Sequence, residues 1–179
     1  GCENVITHHF DVYDLDDYIN PIKAGYSASM ADTMARYKAG EPIFFYTWDP
    51  NWTIGMLKPG EDVMWINVPE INPLESQMPG KDRMTVSGIA GAVTDPLKAG
   101  FVVSDIQVVA NKEFLEANPA AKKFFEVFTL PLSDINKQNT KMENGEKSQQ
   151  DIERHAQEWI AANKEKWNGW LKEAKAAAK

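Results

Sequence analysis

The residues best suited to binding chemistry are aromatic. Tryptophans stand at positions 48 and 52, on either side of the turn-forming residues Asp49-Pro50-Asn51. Trp48 ends a run of β-branched and aromatic residues, 42–48, that is typical of a buried strand. Ligands of open α/β sheets bind beyond the carboxyl ends of the strands, where Trp48 is expected to lie. An indole there would bind a quaternary ammonium ion by cation–π contact, although the same position also suits a residue that caps the core.

The beginning of the sequence is a second candidate site. If a helix begins at Gly1-Cys2-Glu3, its free backbone N–H groups and positive dipole end would hold a carboxylate without any side chain. Glycine at the first position would let the anion approach the backbone closely. Cys2 is the one cysteine of the chain, so no internal disulfide is possible. Gly1 and Cys2 are therefore candidate carboxylate-binding residues.

Enzyme signatures are missing from the sequence. The three histidines, His8, His9 and His155, belong to no His-Glu-x-x-His motif, and the chain has no Cys-x-x-Cys, Gly-x-Ser-x-Gly or Walker pattern. No nucleophile has an evident base, so we expect neither a catalytic site nor a cofactor. His8 and His9 could bind a metal ion with Asp11 and Asp14, but adjacent histidines on an acidic segment are more often solvated. We therefore predict no metal site.

Composition and charge narrow the class of protein. The 179 residues suffice for one ordinary domain and are few for two, and 43% hydrophobic with 25% charged residues is typical of a globular protein. The net charge of −7 opposes binding to a polyanion, so nucleic acid is not an expected partner. No apolar run is long enough to span a membrane, and the beginning of the chain lacks a signal-peptide pattern. These features fit a cytoplasmic protein or one from which a leader has been removed.

The elements that must position these residues follow an α/β order. A capping box is predicted at Ser29, a helix stop at Gly40 and a helix break at Pro119. The three tryptophans of the last helix are expected to pack in the core. In chain order, the predicted elements are a helix over 29–39, strands over 42–48 and 63–68, an irregular connection over 69–100, a strand over 104–110, and helices over 111–127, 131–144 and 148–177.

A specific resemblance rests on many motifs in order. The run from Ala31 to Trp48, Ala-Asp-Thr-Met-Ala-Arg-Tyr-Lys-Ala-Gly-Glu-Pro-Ile-Phe-Phe-Tyr-Thr-Trp, resembles the glycine betaine/proline betaine-binding proteins of osmoprotectant ABC transporters. Further motifs extend the resemblance over essentially the whole chain: Leu57-Lys58-Pro59-Gly60, Val109-Ala110-Asn111-Lys112, Asn118-Pro119-Ala120-Ala121, Leu130-Pro131, Asp134-Ile135-Asn136 and Gly169-Trp170. The resemblance implies a periplasmic binding fold, in which two α/β lobes close on the ligand by a hinge.

The resemblance also implies the fold class and the domains. The chain resembles one lobe of a type II periplasmic binding protein, a three-layer α/β sandwich, with additional C-terminal helices and with the first lobe largely missing. Residues 1–111 would form part of the second lobe, and residues 112–179 would be the helical segment that returns to the first lobe. A periplasmic location and a membrane ABC transporter as partner are implied as well.

Three site residues follow from the resemblance by position. Family members surround the trimethylammonium group of the ligand with a box of tryptophans and bind its carboxylate with backbone N–H groups. Trp48 resembles one wall of this box, and Gly1 and Cys2 resemble the carboxylate donors; Cys2 also resembles a family cysteine that pairs with another a few residues upstream, and no such partner stands in this chain. Two other box tryptophans and a first-lobe histidine are likewise not within it.

The expected affinity follows from the missing walls. If each aromatic wall contributes about 0.5–2 kcal/mol, two missing walls lower the affinity roughly five- to a thousand-fold. We therefore expect the chain alone to bind glycine betaine weakly or not detectably, unless a second chain supplies the missing walls. The alternative, from a different class, is a structural or interaction protein. The surface that the first lobe would otherwise cover would then be buried by self-association as a homodimer.

Overall fold

A computed structural model describes residues 2–178, and the structure is rich in helices with one small sheet. The elements in chain order are α1 (Cys2–Val12), α2 (Tyr26–Lys38), α3 (Trp52–Met56), a 3-10 helix (Glu75–Arg83), β1 (Thr85–Val86), β2 (Leu97–Lys98), α4 (Lys112–Ala117), α5 (Pro119–Val127), α6 (Leu132–Glu143), α7 (Gln149–Ala162) and α8 (Lys164–Ala176). The chain divides into two compact units. The first comprises Gly1–Trp48 and Met56–Ser104, and the second comprises Asp49–Gly55 and Asp105–Lys179.

The first unit is built around a small apolar core. Its members come from α1, α2, the turn after α3, the residue after the 3-10 helix and strand β2, and each is at most 6% exposed: Val5, Met30, Leu57, Met84 and Leu97. Strands β1 and β2 pair in an antiparallel register, with Thr85 opposite Lys98 and Val86 opposite Leu97. This sheet lies inside the connection over 69–100 that the sequence predicts as irregular.

The three predicted strands differ from the structure. Residues 41–48 and 102–111 have no regular secondary structure, and residues 63–68 contribute isolated bridges, such as the parallel bridge between Trp65 and Ala92. A β-branched run becomes a strand only where a neighbouring backbone completes its hydrogen-bond ladder. Among residues 2–178 these runs have no such ladder. The three-layer sandwich and the division at residue 111 therefore remain predictions.

The helices α2, α4 and α5 agree with the sequence more closely than the strands do. The predicted break at Pro119 is confirmed, because α4 ends at Ala117 and α5 begins at Pro119. The capping box predicted at Ser29 is wrong, since α2 begins one turn earlier, at Tyr26. The N–H of Ser29 already donates to the Gly25 carbonyl at 3.0 Å, so Ser29 lies inside the helix.

The predicted last helix, 148–177, consists of two helices. α7 and α8 are separated at Asn163, which has φ −117° and ψ 34°. The side-chain amide of Asn163 donates to the Trp159 carbonyl at 2.9 Å. Asn side chains compete with the backbone for such carbonyls, which explains the interruption. At the start of α7, Ser148 and Asp151 form a capping box.

Aromatic side chains form the core of the second unit. Trp170 of α8 is 6% exposed and stacks on Trp159 of α7, with 5.9 Å between ring centroids and 10° between planes. Phe128 meets Trp170 at 5.2 Å, and Phe124 of α5 contacts both Trp167 and Trp170 edge-on. The prediction that the tryptophans of this segment pack in the core is confirmed for Trp170, whereas Trp159 and Trp167 are half-buried.

Substitution of Gly91 tests how tightly the first unit is packed. Gly91 has φ +73°, and a methyl group there would overlap the backbone of Pro59 and Gly60; Gly88 has φ +75°, but a methyl group there meets open space. We expect Gly88→Ala to lower the free energy of unfolding by about 1–2 kcal/mol, the cost of a positive φ. Gly91→Ala should lower it by a further 1–3 kcal/mol or so, because of the overlap. Urea denaturation measures both losses, and equal losses would contradict the packing.

Candidate ligand-binding site

The segment over residues 43–48, which has no regular secondary structure, carries two aromatic rings in contact. Tyr46 and Trp48 stand two residues apart in this segment. Their ring centroids are 5.9 Å apart and their planes are inclined by 36°. Trp48 is 45% exposed, whereas Tyr46 is partly buried. Part of the indole is therefore packed against protein and part is open to a ligand.

Helix α2 adds a third ring to this group. Tyr26, the first residue of α2, lies 4.9 Å from Trp48 between ring centroids, at an angle of 42°. The Tyr26 hydroxyl donates to Oγ1 of Thr47 at 2.9 Å, which attaches the start of α2 to the segment over residues 43–48. Aromatic contacts of this kind contribute about 0.5–1.5 kcal/mol beyond area burial. Two tyrosines therefore orient the Trp48 indole.

Cys2 contacts the same group from α1. It is the first residue of that helix and is exposed, and its Sγ atom accepts a hydrogen bond from the Tyr46 hydroxyl, with 3.0 Å between oxygen and sulfur. Burial, and next this hydrogen bond, raise the pKa of Tyr46, so its hydroxyl stays protonated as a donor. The structure thus brings two predicted site residues, Cys2 and Trp48, into contact with one tyrosine. The third, Gly1, lies outside the described residues.

Further aromatic contacts hold α1 in place. Phe101 lies 5.4 Å from Tyr46 and meets His9 edge-on at 5.3 Å, and His9 stacks on Tyr13 at 5.3 Å. Gly100 permits this close packing, because with φ +70° a methyl group there would come within 3.0 Å of the His9 ring. The position of α1 relative to Tyr46 is therefore set by packed rings.

The two adjacent histidines make structural contacts. Burial, and then the charge of His8, lower the pKa of His9. The ring of His9 is buried, and its Nε2 atom has no hydrogen-bond partner in the described part of the chain. Nε2 of His8 lies 2.9 Å from the carbonyl oxygen of Asn72. Within residues 2–178, no group of three or more His, Cys, Asp or Glu side chains is arranged to hold a metal ion.

The sequence predicts Trp48 and Cys2 as site residues but does not predict Tyr46, which contacts both, or Tyr26, which contacts Trp48. Tyr46 precedes Trp48 by two residues, so the two-residue period of an extended run was a usable signal. Tyr26 and Phe101 lie 22 and 53 positions from Trp48 along the sequence, and no local pattern connects them to it. These two contacts arise only from the packing of the first unit.

Comparison with known proteins identifies the family of the chain. A family model described as the substrate binding domain of an ABC-type glycine betaine transport system matches residues 1–162. The chain belongs to this family. Its members are substrate-binding domains of transport systems, a class of binding proteins and not of enzymes. The resemblance drawn from the sequence motifs is confirmed.

Relatives of this family show how much of a longer protein the chain matches. The chain is 45% identical to the glycine betaine-binding periplasmic protein OusX of Dickeya dadantii (strain 3937). It is 42% and 41% identical to the glycine betaine/proline betaine-binding periplasmic proteins of Escherichia coli (strain K12) and Salmonella typhimurium (strain LT2). Each match covers all 179 residues of the chain and 51% of the relative. The chain thus spans about half the length of the curated relatives it matches.

Between residues 2 and 178, no helix is both long enough and apolar enough to cross a bilayer.

The buried His9 predicts a pH dependence of stability. Its pKa is lower in the folded state than the ordinary value of 6.5, so below that pH the unfolded chain binds a proton that the folded chain resists. The free energy of unfolding should therefore fall as the pH drops from 7 towards 5, above the range in which most carboxylates titrate. His9→Phe keeps a ring in the stack and should flatten this dependence. Urea denaturation across this range measures it, and an unchanged slope in His9→Phe would contradict the role of His9.

Proposed function

We propose that the chain binds quaternary ammonium osmolytes, such as glycine betaine and proline betaine, for uptake by an ABC transporter. The observation that carries the proposal is the contact of Tyr46 with both Trp48 and Cys2. One end of this group presents a partly exposed indole, and the other presents the first turn of a helix. The names of the relatives support the same ligand class.

The Trp48 indole suits the cationic end of such a ligand. A trimethylammonium group cannot donate a hydrogen bond, so it is held by cation–π and van der Waals contact with aromatic faces. Tryptophan gives the strongest cation–π contact of the aromatic side chains. Tyr26 and Tyr46 leave 45% of Trp48 exposed, which provides a face for the cation.

The first turn of α1 suits the anionic end. Helix α1 runs over 11 residues, and the unpaired N–H groups and positive dipole end of its first turn attract a carboxylate. We assign the carboxylate contacts to the backbone of Gly1 and Cys2. The binding step is then a two-point recognition of a zwitterion, with no bond made or broken.

The affinity of this stretch alone is expected to be low. The aromatic group described here contains one tryptophan, Trp48, and an exposed cation–π contact contributes only about 0.5–1 kcal/mol. Tight binding requires more aromatic walls around the same cation, supplied by another part of a longer protein or by another chain. We therefore propose weak binding by the isolated 179 residues.

The cellular setting follows from the same proposal. The relatives are named as periplasmic proteins, and we propose that this chain acts in the periplasm and passes its ligand to a membrane ABC transporter. We further propose that residues 1–111 belong to one α/β lobe of a type II periplasmic binding fold, and that residues 112–179 are a helical segment that joins the other lobe. Neither nucleic acid nor a cofactor has a role in this function.

A competing proposal is self-association without tight ligand binding. The observation that favours it is the run over 105–110 in the second unit, which has no regular secondary structure and exposes Ile106 by 69% and Val109 by 92%. Exposed β-branched side chains favour association with another chain, because contact with that chain removes their apolar surface from water. A second copy of the chain would then cover this run in a homodimer.

The binding proposal is tested by titration with glycine betaine, followed at the indole N–H resonance of Trp48 in NMR spectra. We expect saturable binding with a dissociation constant in the millimolar range or weaker, because one tryptophan wall is present. Trp48→Ala should abolish the saturation. Tyr18→Ala removes an aromatic side chain that is 84% exposed and serves as the control, with unchanged binding. Equal binding by Trp48→Ala and the original chain would contradict the assignment of Trp48.

The competing proposal is tested by sedimentation equilibrium. A monomer that glycine betaine stabilises supports the binding proposal, whereas an obligate dimer indifferent to glycine betaine supports self-association. In the second case Val109→Lys should dissociate the dimer, because it places a charge at the exposed run. Ile22→Lys changes an apolar residue of the first unit that is also largely exposed, at 78%, and should leave the dimer intact.

A further inference from the structure

Tyr46 contacts both ends of the proposed site. Its ring lies 5.9 Å from the Trp48 ring, and its hydroxyl lies 3.0 Å from Sγ of Cys2 at the start of α1. The cation face and the carboxylate end are therefore joined through one side chain. Their separation is set by the length of a tyrosine.

The Tyr46 side chain is itself held in place. Phe101 packs against its ring at 5.4 Å, and the same phenylalanine contacts His9 in the middle of α1. A tyrosine has only two rotatable side-chain bonds, so a ring packed from two sides and bonded at its hydroxyl has little freedom left. The hydroxyl remains a donor because burial disfavours its ionised form.

A zwitterion must fit this separation. Its quaternary nitrogen lies at a fixed number of methylene groups from its carboxylate, and both ends can bind at once only when that length matches the distance between the two contacts. Binding groups that are already held in place favour the matching ligand, because their conformational entropy is lost during folding and not during binding. A loose connection between the two ends would accept several lengths.

We propose that Tyr46 is a positioning residue that fixes the spacing between Trp48 and the first turn of α1, and thereby selects zwitterions by the length between their charges. This proposal rests on the proposed function. Tyr26 also contacts Trp48, but its hydroxyl bonds to Thr47 on the same segment. Tyr26→Phe is therefore a matched control. It removes a tyrosine hydroxyl beside the same indole and leaves the hydrogen bond between Tyr46 and Cys2 intact.

The test uses trimethylammonium carboxylates with one, two or three methylene groups between nitrogen and carboxylate. Dissociation constants are measured by NMR titration for the original chain, Tyr46→Phe and Tyr26→Phe. The ratio of dissociation constants between the longest and shortest ligand should fall about two- to tenfold in Tyr46→Phe, the effect of one net hydrogen bond. Tyr26→Phe should keep the ratio of the original chain. A Tyr46→Phe variant with an unchanged ratio, or an original chain with no length preference, would overturn the proposal.

A measurement without ligand separates this proposal from the proposed function. If the original chain bound none of the three compounds, the proposed function would fail, and the positioning role would be decided by the Trp48 indole N–H resonance. Cys2→Ala should shift this resonance through Tyr46, and the shift should disappear when Cys2→Ala is made in a Tyr46→Phe background. The same shift in both backgrounds would overturn the positioning role.

Discussion

The hydrogen bond from the Tyr46 hydroxyl to Cys2, combined with the ring contact between Tyr46 and Trp48, is the interaction on which the proposed site depends. A zwitterionic ligand offers two weak attachment points, a diffuse cation without hydrogen-bond donors and a carboxylate. Neither contact is strong alone, because a cation–π contact at an exposed site contributes only about 0.5–1 kcal/mol. The two contacts can bind one ligand together when the protein holds both at a fixed separation. Packing of Phe101 and His9 behind Tyr46 supplies that rigidity from the core of the first unit.

Trp170 and Trp48 lie in different surroundings, which suit them to different purposes. Trp170 is buried among Trp159, Trp167 and phenylalanines, where its area stabilises the packing of α5, α7 and α8. Trp48 is packed by two tyrosines and still 45% exposed. An indole held in orientation but left open is suited to a ligand, whereas an indole enclosed by other rings is suited to stability. The burial of the ring, not the residue type, decides between them.

Local signals in the sequence predict the helices well and the sheet poorly. The Pro119 break and the aromatic core of the last helices follow from backbone restriction and apolar spacing, which are properties of a few consecutive residues. The runs over 42–48 and 104–110 have strand-like composition, but a strand also needs a partner that the run itself does not encode. For the site, residue type and position predict Trp48 and Cys2, and the family resemblance implies the ligand that we propose for them. Tyr26 and Phe101 join the site through contacts between distant parts of the sequence, which no local pattern reveals.

The most direct measurement of the central claim is the set of intermolecular nuclear Overhauser effects from the methyl protons of glycine betaine in a solution of the 179-residue chain. Binding at the proposed site predicts cross-peaks from these methyl protons to the indole protons of Trp48 and to the ring protons of Tyr26 or Tyr46. Rings enclosed in the second unit, such as Trp170, should give none. Cross-peaks confined to other tryptophans, or none at any ligand concentration, would contradict the assignment of Trp48 as the cation-binding face.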